Sequence, residues 1–112
     1  MIRITAFRQG NVISEVTCTG HAGYDETGSD IVCAAVSALM INTVNSIEQF
    51  TEDELTVDEA VDGDGYLSFR LGGEVSERAS LLTDSLLLGL ETIEETYGEQ
   101  FLALEVRDRE SM

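Results

Sequence analysis

The residues best suited to covalent chemistry are His21, which is the only histidine, and Cys33, which is one of two cysteines. His21 follows a predicted strand, and Cys33 lies near the start of a predicted helix with the sequence IVCAAVSALMINTV. The free amide groups at a helix N-terminus favour a thiolate over a thiol. A histidine within reach can accept the thiol proton, which is the arrangement of a nucleophile with its base. The spacing is therefore compatible with a catalytic Cys/His pair.

Taken alone, these residues leave three interpretations open. The first is acyl transfer, with Cys33 as nucleophile and His21 as general base and then acid. The second is a metal site formed by Cys18, His21 and Cys33 with Asp25 or Asp30, although the paired Cys-x-x-Cys spacing of most zinc modules is missing. The third is an acidic interaction domain without chemistry, in which the cysteines are core residues. A phosphate site is disfavoured, because the loop lacks a Gly-Lys-Ser/Thr ending.

Other residues of this stretch are predicted to support the pair. Asp30 or Ser29 is the expected N-cap of the helix, and Asp30 is also a candidate for orienting His21. Ser37 lies one turn beyond Cys33 on the same side of the helix, where its hydroxyl either serves the site or bonds back to the backbone. Three glycines are expected to let the loop move or let a substrate backbone approach: Gly20, Gly23 and Gly28.

The composition predicts one soluble domain over residues 1–112. Hydrophobic residues make up 43% of the chain, which is enough for a core at this length. Two cysteines do not form a disulfide framework, and the N-terminal residues lack the pattern of a signal peptide. No segment is expected to approach the roughly 20 apolar residues of a membrane span. The expected location is the cytoplasm, away from a membrane.

The net charge of −16 is the strongest compositional signal, and all six basic residues are arginine. Acidic residues concentrate in 48–64 and in 91–99. A phosphate backbone would be repelled, so direct binding to nucleic acid is not expected. The acidic surface either keeps the protein soluble or attracts a basic partner, and charge alone does not decide between these roles.

The periodicity predicts the element order β-β-α-β-β-α-β. Strands are expected at 1–8, 12–18, 54–61, 65–71 and 101–107, with helices at 30–50 and from Ser76 to Gly98. The Asp-Gly repeat at 62–65 is typical of a hairpin turn. We therefore predict an α+β two-layer sandwich, with a mostly antiparallel sheet and two helices on one face.

The second helix has more apolar residues than one sheet face requires. Its predicted buried stripe comprises Ala79, Leu82, Leu86, Leu90, Ile93 and Tyr97. Leu81, Leu87 and Leu88 widen that stripe. Part of this excess is expected to be ordinary core, and the rest indicates a second buried surface and hence a dimer contact. The final segment, RDRESM, is expected to be a frayed tail.

The stretch from Gly20 to Ser37 also resembles a known family. The order Gly-His-Ala, a short glycine-containing loop, and then Gly28 and DIVCAAVS from Asp30 to Ser37 is similar to Prp, the ribosomal-processing cysteine proteases of Firmicutes and related bacteria. The resemblance implies a homodimeric endopeptidase without a cofactor and with a mobile loop over its site. It implies Cys33 as nucleophile and His21 as base, and Asp30 is our candidate third residue.

The implied substrate is the precursor of a large-subunit ribosomal protein. Members of the family remove a short N-terminal extension that ends in aromatic residues, and the mature protein that follows is basic. The alternative from another class is a non-catalytic acidic factor of the ribosome that binds the same extension without cutting it.

Overall fold

A computed structural model describes residues 1–20, 29–59 and 66–109, except the side chains of Ser29 and Asp30. The predicted element order is confirmed, with boundaries that differ from the predicted ones by a residue or two. The elements are β1 (Ile2–Gln9), β2 (Val12–Thr19), α1 (Ser29–Phe50), β3 (Glu54–Glu59), β4 (Tyr66–Gly72), α2 (Glu77–Tyr97) and β5 (Leu102–Asp108). The predicted Asp-Gly turn at 62–65 lies outside the described residues.

The five strands form one mixed sheet in the order β3-β4-β2-β1-β5. Three neighbouring pairs are antiparallel, and only β1 and β5 run parallel. Although β1 and β5 lie at opposite ends of the chain, they pair from their first residues onward. The Ile2 amide donates to the Phe101 carbonyl at 2.9 Å. The predicted α+β class and the mostly antiparallel pairing are therefore confirmed.

One hydrophobic core joins both helices to the sheet. Ile4, Val16 and Phe69 supply its strand side, and each is at most 1% exposed. Met40 of α1 and Leu90 of α2 meet them without any exposure. Each such side chain contributes roughly 1.5–3 kcal/mol on burial, so the core fixes α1 against the sheet firmly. This rigid placement of α1 sets the position of Cys33.

The start of α2 follows the capping prediction. The Ser76 hydroxyl accepts a hydrogen bond from the Ala79 amide at 3.1 Å, and Gly98 ends the helix. Asp53, just before β3, accepts bonds from the Ser76 amide at 2.8 Å and hydroxyl at 2.6 Å. These bonds lower the pKa of Asp53 below its ordinary value. The cap therefore ties α2 to the segment that follows α1.

The predictions for Tyr97 and for the C-terminal tail were wrong. Tyr97 in the last turn of α2 is 36% exposed, whereas Ile93 one turn earlier is 9% exposed, so the buried stripe ends before Tyr97. Of the leucines that widen the α2 stripe, Leu87 is buried, whereas Leu81 and Leu88 are 69% and 66% exposed in the single chain, and their dimer contact stays a prediction. Of the predicted tail, Arg107 and Asp108 belong to β5, and the Arg109 amide donates to the Arg8 carbonyl at 2.7 Å.

Helix α1 is more apolar than predicted, since no segment was expected to approach the length and composition of a membrane span. By length and composition alone, Ile31–Phe50 could cross a membrane, with a mean hydropathy of 1.5. Core helices of soluble proteins satisfy the same criterion. Val32, Val36, Met40 and Ile47 of this helix are buried in the core shared with the sheet.

Candidate active site

A cavity of about 240 Å³ lies between α1 and the sheet, and both cysteines line it. Cys33 and Ser37 reach it from α1, and Cys18 reaches it from β2. Most of the remaining wall is apolar. The other lining residues are Ile2, Gly20, Val36, Met40, Ile41, Glu59, Tyr66 and Leu67. A nucleophilic side chain thus opens into an apolar space that is large enough for part of a ligand.

Cys33 is half-buried and packs against the hydrophobic core. It lies four residues after the start of α1 at Ser29, which is about one helical turn. Asp30 therefore lies inside the helix rather than before it. The field of a helix terminus weakens beyond the first turn, so Cys33 lies at its inner limit. The position suits a nucleophile that is held by the core and reached from the cavity.

Cys18 is also half-buried, and its thiol is held in the neutral form. Burial, and then the nearby Cys33, raise the pKa of Cys18 to about 11. The sequence interpretation of Cys18 as a core residue is supported by its packing against the hydrophobic cluster. Its place in the wall of the cavity beside Cys33 was not part of that interpretation.

Several predicted site residues lie outside the described residues. These are His21, Gly23 and Gly28, together with Asp25 of the alternative metal site. Asp30 is described only as a backbone position in α1. The Cys33–His21 pair and the orienting role of Asp30 therefore stay predictions from the sequence.

Ser37 is exposed and lines the cavity one turn beyond Cys33, as predicted. Among the described residues its hydroxyl has no hydrogen-bond partner, so it does not bond back to the Cys33 carbonyl. Thr43 on the same helix does bond back, to the Leu39 carbonyl at 2.8 Å. The Ser37 hydroxyl is thus available to a ligand in the cavity.

Gly20 ends β2 at the cavity, and its conformation requires glycine. Its φ is +89°, and a Cβ built on it would overlap the Met1 carbonyl oxygen. Gly20 was predicted as part of a flexible loop. The structure gives it a steric role as well, because a residue without Cβ lets the chain pass Met1 just before His21.

The cavity wall includes residues that sequence reasoning did not assign to the site. Met40 and Ile41 follow Cys33 at helical spacing on the same side of α1, and this periodicity was a usable signal. Tyr66 and Leu67 come from β4, and Glu59 comes from the end of β3. Nothing local connects these strands to Cys33, because sheet pairing places them beside β2 and the packing of α1 on the sheet then brings them to the cavity.

A metal centre receives no support from the part of the chain that the structure describes. Within 1–20, 29–59 and 66–109, no three His, Cys, Asp or Glu side chains come together in a way that could hold an ion. The alternative site also requires His21 and either Asp25 or Asp30, whose side chains are not described.

The two cysteines are expected to differ strongly in alkylation. With a pKa of about 11, about one Cys18 thiol in a thousand is ionised near pH 8. Cys33 should react with iodoacetamide at least tenfold faster, and the rate at Cys18 should keep rising up to about pH 11. Peptide mapping after timed alkylation measures both rates in one sample, and urea-unfolded protein is the control. Equal rates in the folded protein would contradict the difference in environment.

Comparison with known proteins places the chain in one family. The model of the family described as cysteine protease Prp matches residues 1–101. The ribosomal processing cysteine protease Prp of Staphylococcus aureus is 35% identical over 98 residues, which are 88% of this chain and 91% of that protein. The protein of the same name from Bacillus subtilis is 39% identical over 85 residues, covering 72% of this chain and 75% of the relative.

A solved structure agrees with this assignment. It is the crystal structure of an essential ribosomal processing protease Prp from S. aureus in complex with a covalently linked product peptide. Its sequence identity is 29% and its TM-score is 0.85, with 96% of this chain and 100% of that chain covered. The chain therefore belongs to the Prp family and is a cysteine protease.

Proposed function

We propose that this protein removes the short N-terminal extension of a large-subunit ribosomal protein precursor and cuts after aromatic residues. Cys33 is the nucleophile and His21 is the general base and acid. Asp30 and Ser37 are the candidates for support, the first by orienting His21 and the second from the cavity wall. The observation that carries this proposal is the apolar cavity into which Cys33 opens.

The size and lining of the cavity support an aromatic side chain next to the cleaved bond. A dry cavity of about 150 Å³ is large enough to bind benzene, so 240 Å³ leaves room for one aromatic ring. The apolar side chains of Val36, Met40 and Leu67 provide contact area for such a ring. The hydroxyls of Ser37 and Tyr66 provide hydrogen-bonding groups at the same wall.

The proposed reaction proceeds in two steps. The Cys33 sulfur attacks the scissile carbonyl carbon while His21 takes the thiol proton, and the peptide nitrogen then leaves with that proton. Water, deprotonated by His21, attacks the resulting thioester and releases the cut extension. The peptide that is covalently linked to the S. aureus relative is consistent with an acyl-enzyme chemistry of this kind.

The test is cleavage of a synthetic peptide that spans the N-terminal extension of the host's own ribosomal protein. Mass spectrometry should show one cut after the aromatic residues, insensitive to a chelator. Replacing the aromatic residue before the bond by alanine should lower kcat/KM by roughly 100-fold, because the cavity loses its apolar contact. Binding without a cut would identify a non-catalytic factor, and loss of cutting with chelator would support the metal site.

The acidic surface should accelerate capture of a basic substrate. The net charge is −16, and the ion pairs between described residues engage only Glu15 and Glu105 of the carboxylates. We expect kcat/KM for the full-length precursor to fall at least about tenfold from 20 mM to 500 mM salt, with a smaller effect on kcat. A short neutral peptide is the control. If the precursor is as insensitive to salt as the peptide, the charge serves solubility only.

The exposed surface of the helical layer supports a homodimer. Leu81 and Leu88 of α2 are 69% and 66% exposed, and Ile31 and Ile41 of α1 are 58% and 53% exposed. The α1 segment 31–47 contains no charged residue, although a quarter of the chain is charged. An uncharged apolar surface of this kind is typical of a subunit contact. Sedimentation equilibrium of the intact protein tests the homodimer, which requires twice the mass of the 12.2 kDa chain.

A further inference from the structure

The described part of the chain contains a second thiol beside the nucleophile, which the proposed cleavage does not use. Cys18 pairs with Ile4 of β1 and Leu67 of β4 in the sheet. Its side chain packs on the same hydrophobic cluster as Cys33, so it points to the helical layer rather than to the open face of the sheet. Both cysteines are free, and both line the cavity of about 240 Å³.

We propose that Cys18 is a resolving cysteine, which forms a reversible disulfide with Cys33 after Cys33 has been oxidised by a hydroperoxide. This inference concerns regulation of the site and rests on the proposed role of Cys33. The disulfide blocks the nucleophile while it lasts. It also protects the Cys33 sulfur from irreversible oxidation to the sulfinic acid.

Oxidation enters at Cys33. Its thiolate attacks one oxygen of the hydroperoxide, so that an S–O bond forms, the O–O bond breaks, and the alcohol or water leaves. Cys33 becomes a sulfenic acid, and the peroxide is reduced. Cys18 is a poor entry point, because burial keeps its thiol neutral and a neutral thiol is a weak nucleophile.

Resolution follows inside the cavity. The Cys18 sulfur attacks the Cys33 sulfur, an S–S bond forms, and hydroxide leaves and takes the Cys18 proton as water. The high pKa of Cys18 makes this attack slow in free solution. Because the two thiols share one small cavity, the step is intramolecular, and a high effective concentration offsets the low thiolate fraction.

The electrostatic evidence agrees with this proximity. A negative charge on Cys33 disfavours a second one on Cys18 and so adds to the raised pKa of Cys18, second to burial. A disulfide holds the two Cα atoms at about 4.4–6.8 Å. Formation of the cross-link is therefore a direct measure of the approach of β2 and the first turns of α1.

The experiment treats dilute protein with a small excess of hydrogen peroxide and maps peptides under non-reducing conditions. We expect a linked peptide pair containing Cys18 and Cys33, an intact mass that is two hydrogens lower, and full reversal by dithiothreitol. In Cys18→Ala the same treatment should drive Cys33 to the sulfinic acid. In Cys33→Ser the thiol of Cys18 should stay reduced, because no sulfenic acid is available to it.

Activity is measured relative to each variant's own value before oxidation. The wild type should recover almost completely with dithiothreitol, whereas Cys18→Ala should recover less than about a tenth. Cys18→Ser provides a second test if the alanine variant folds poorly, since it keeps a group of similar size. Circular dichroism checks the fold of each.

Identical oxidation products in the wild type and in both Cys18 variants would overturn the proposal. A disulfide between two chains, seen as a dimer on a non-reducing gel, would overturn it as well. The mapping does not depend on proteolysis, so this failure is distinct from failure of the proposed function. If the protein does not cut the precursor peptide before oxidation but still forms the cross-link after peroxide treatment, only the proposed function is refuted.

Discussion

Replacement of Cys33 by alanine is expected to lower kcat for the precursor peptide by about 10⁴–10⁶-fold, the loss seen when an enzyme loses its nucleophile. No other thiol can substitute, because the neutral Cys18 is held in the wall of the cavity. The peptide should still bind, since the apolar wall formed by Met40 and Leu67 remains. Mass spectrometry follows the cut, and fluorescence anisotropy of a labelled peptide follows binding.

The controls separate loss of chemistry from loss of fold. Cys33→Ala should keep the wild-type circular dichroism spectrum and unfold within about 1 kcal/mol of the wild type, because the half-buried thiol is replaced by a smaller apolar group. Cys33→Ser keeps a hydroxyl at the same place and should be almost as inactive, because the hydroxyl is far less acidic than the thiol. Retention of more than a tenth of the activity in either variant would place the nucleophile elsewhere.

Replacement of Gly20 by alanine is expected to lower the free energy of unfolding by about 2–3 kcal/mol. Two effects combine, because the residue has a φ of +89° and its Cβ would overlap the Met1 carbonyl oxygen. The end of β2 must shift to relieve the overlap. Since Gly20 directly precedes His21, kcat/KM should also fall by about 10- to 100-fold. Urea unfolding and peptide cleavage measure the two effects.

Gly10 is the matched control for Gly20. It has a φ of +66° in the turn between β1 and β2, and a Cβ built on it meets no atom within 4 Å. Gly10→Ala should therefore show the cost of strain without the overlap, about 1 kcal/mol, and normal cleavage. If both variants lose the same free energy of unfolding, the close approach of Gly20 to Met1 does not contribute to stability.

The sequence by itself determined the order of elements, and it predicted Cys33 as the nucleophile. The alternation in β1, the β-branched residues of β2 and the three-to-four spacing in α1 are local patterns, and local patterns report which side of a segment is buried. The cap at Ser76 and the end of α2 at Gly98 followed from side-chain and backbone chemistry within a few residues. The motif from Gly20 to Ser37 identified the family, which the comparisons then confirmed.

Only the tertiary structure decided which residues surround Cys33. The placement of β4 beside β2 brings Leu67 next to Cys18, and no local pattern specifies such a pairing between distant strands. The helical pattern also did not predict the exposure of Tyr97. Periodicity shows which side of a helix is buried, but it does not show where along the helix that burial ends. Residues that are remote in sequence bury Cys18 beside Cys33. This burial removes water from the thiol, which raises its pKa and keeps it neutral.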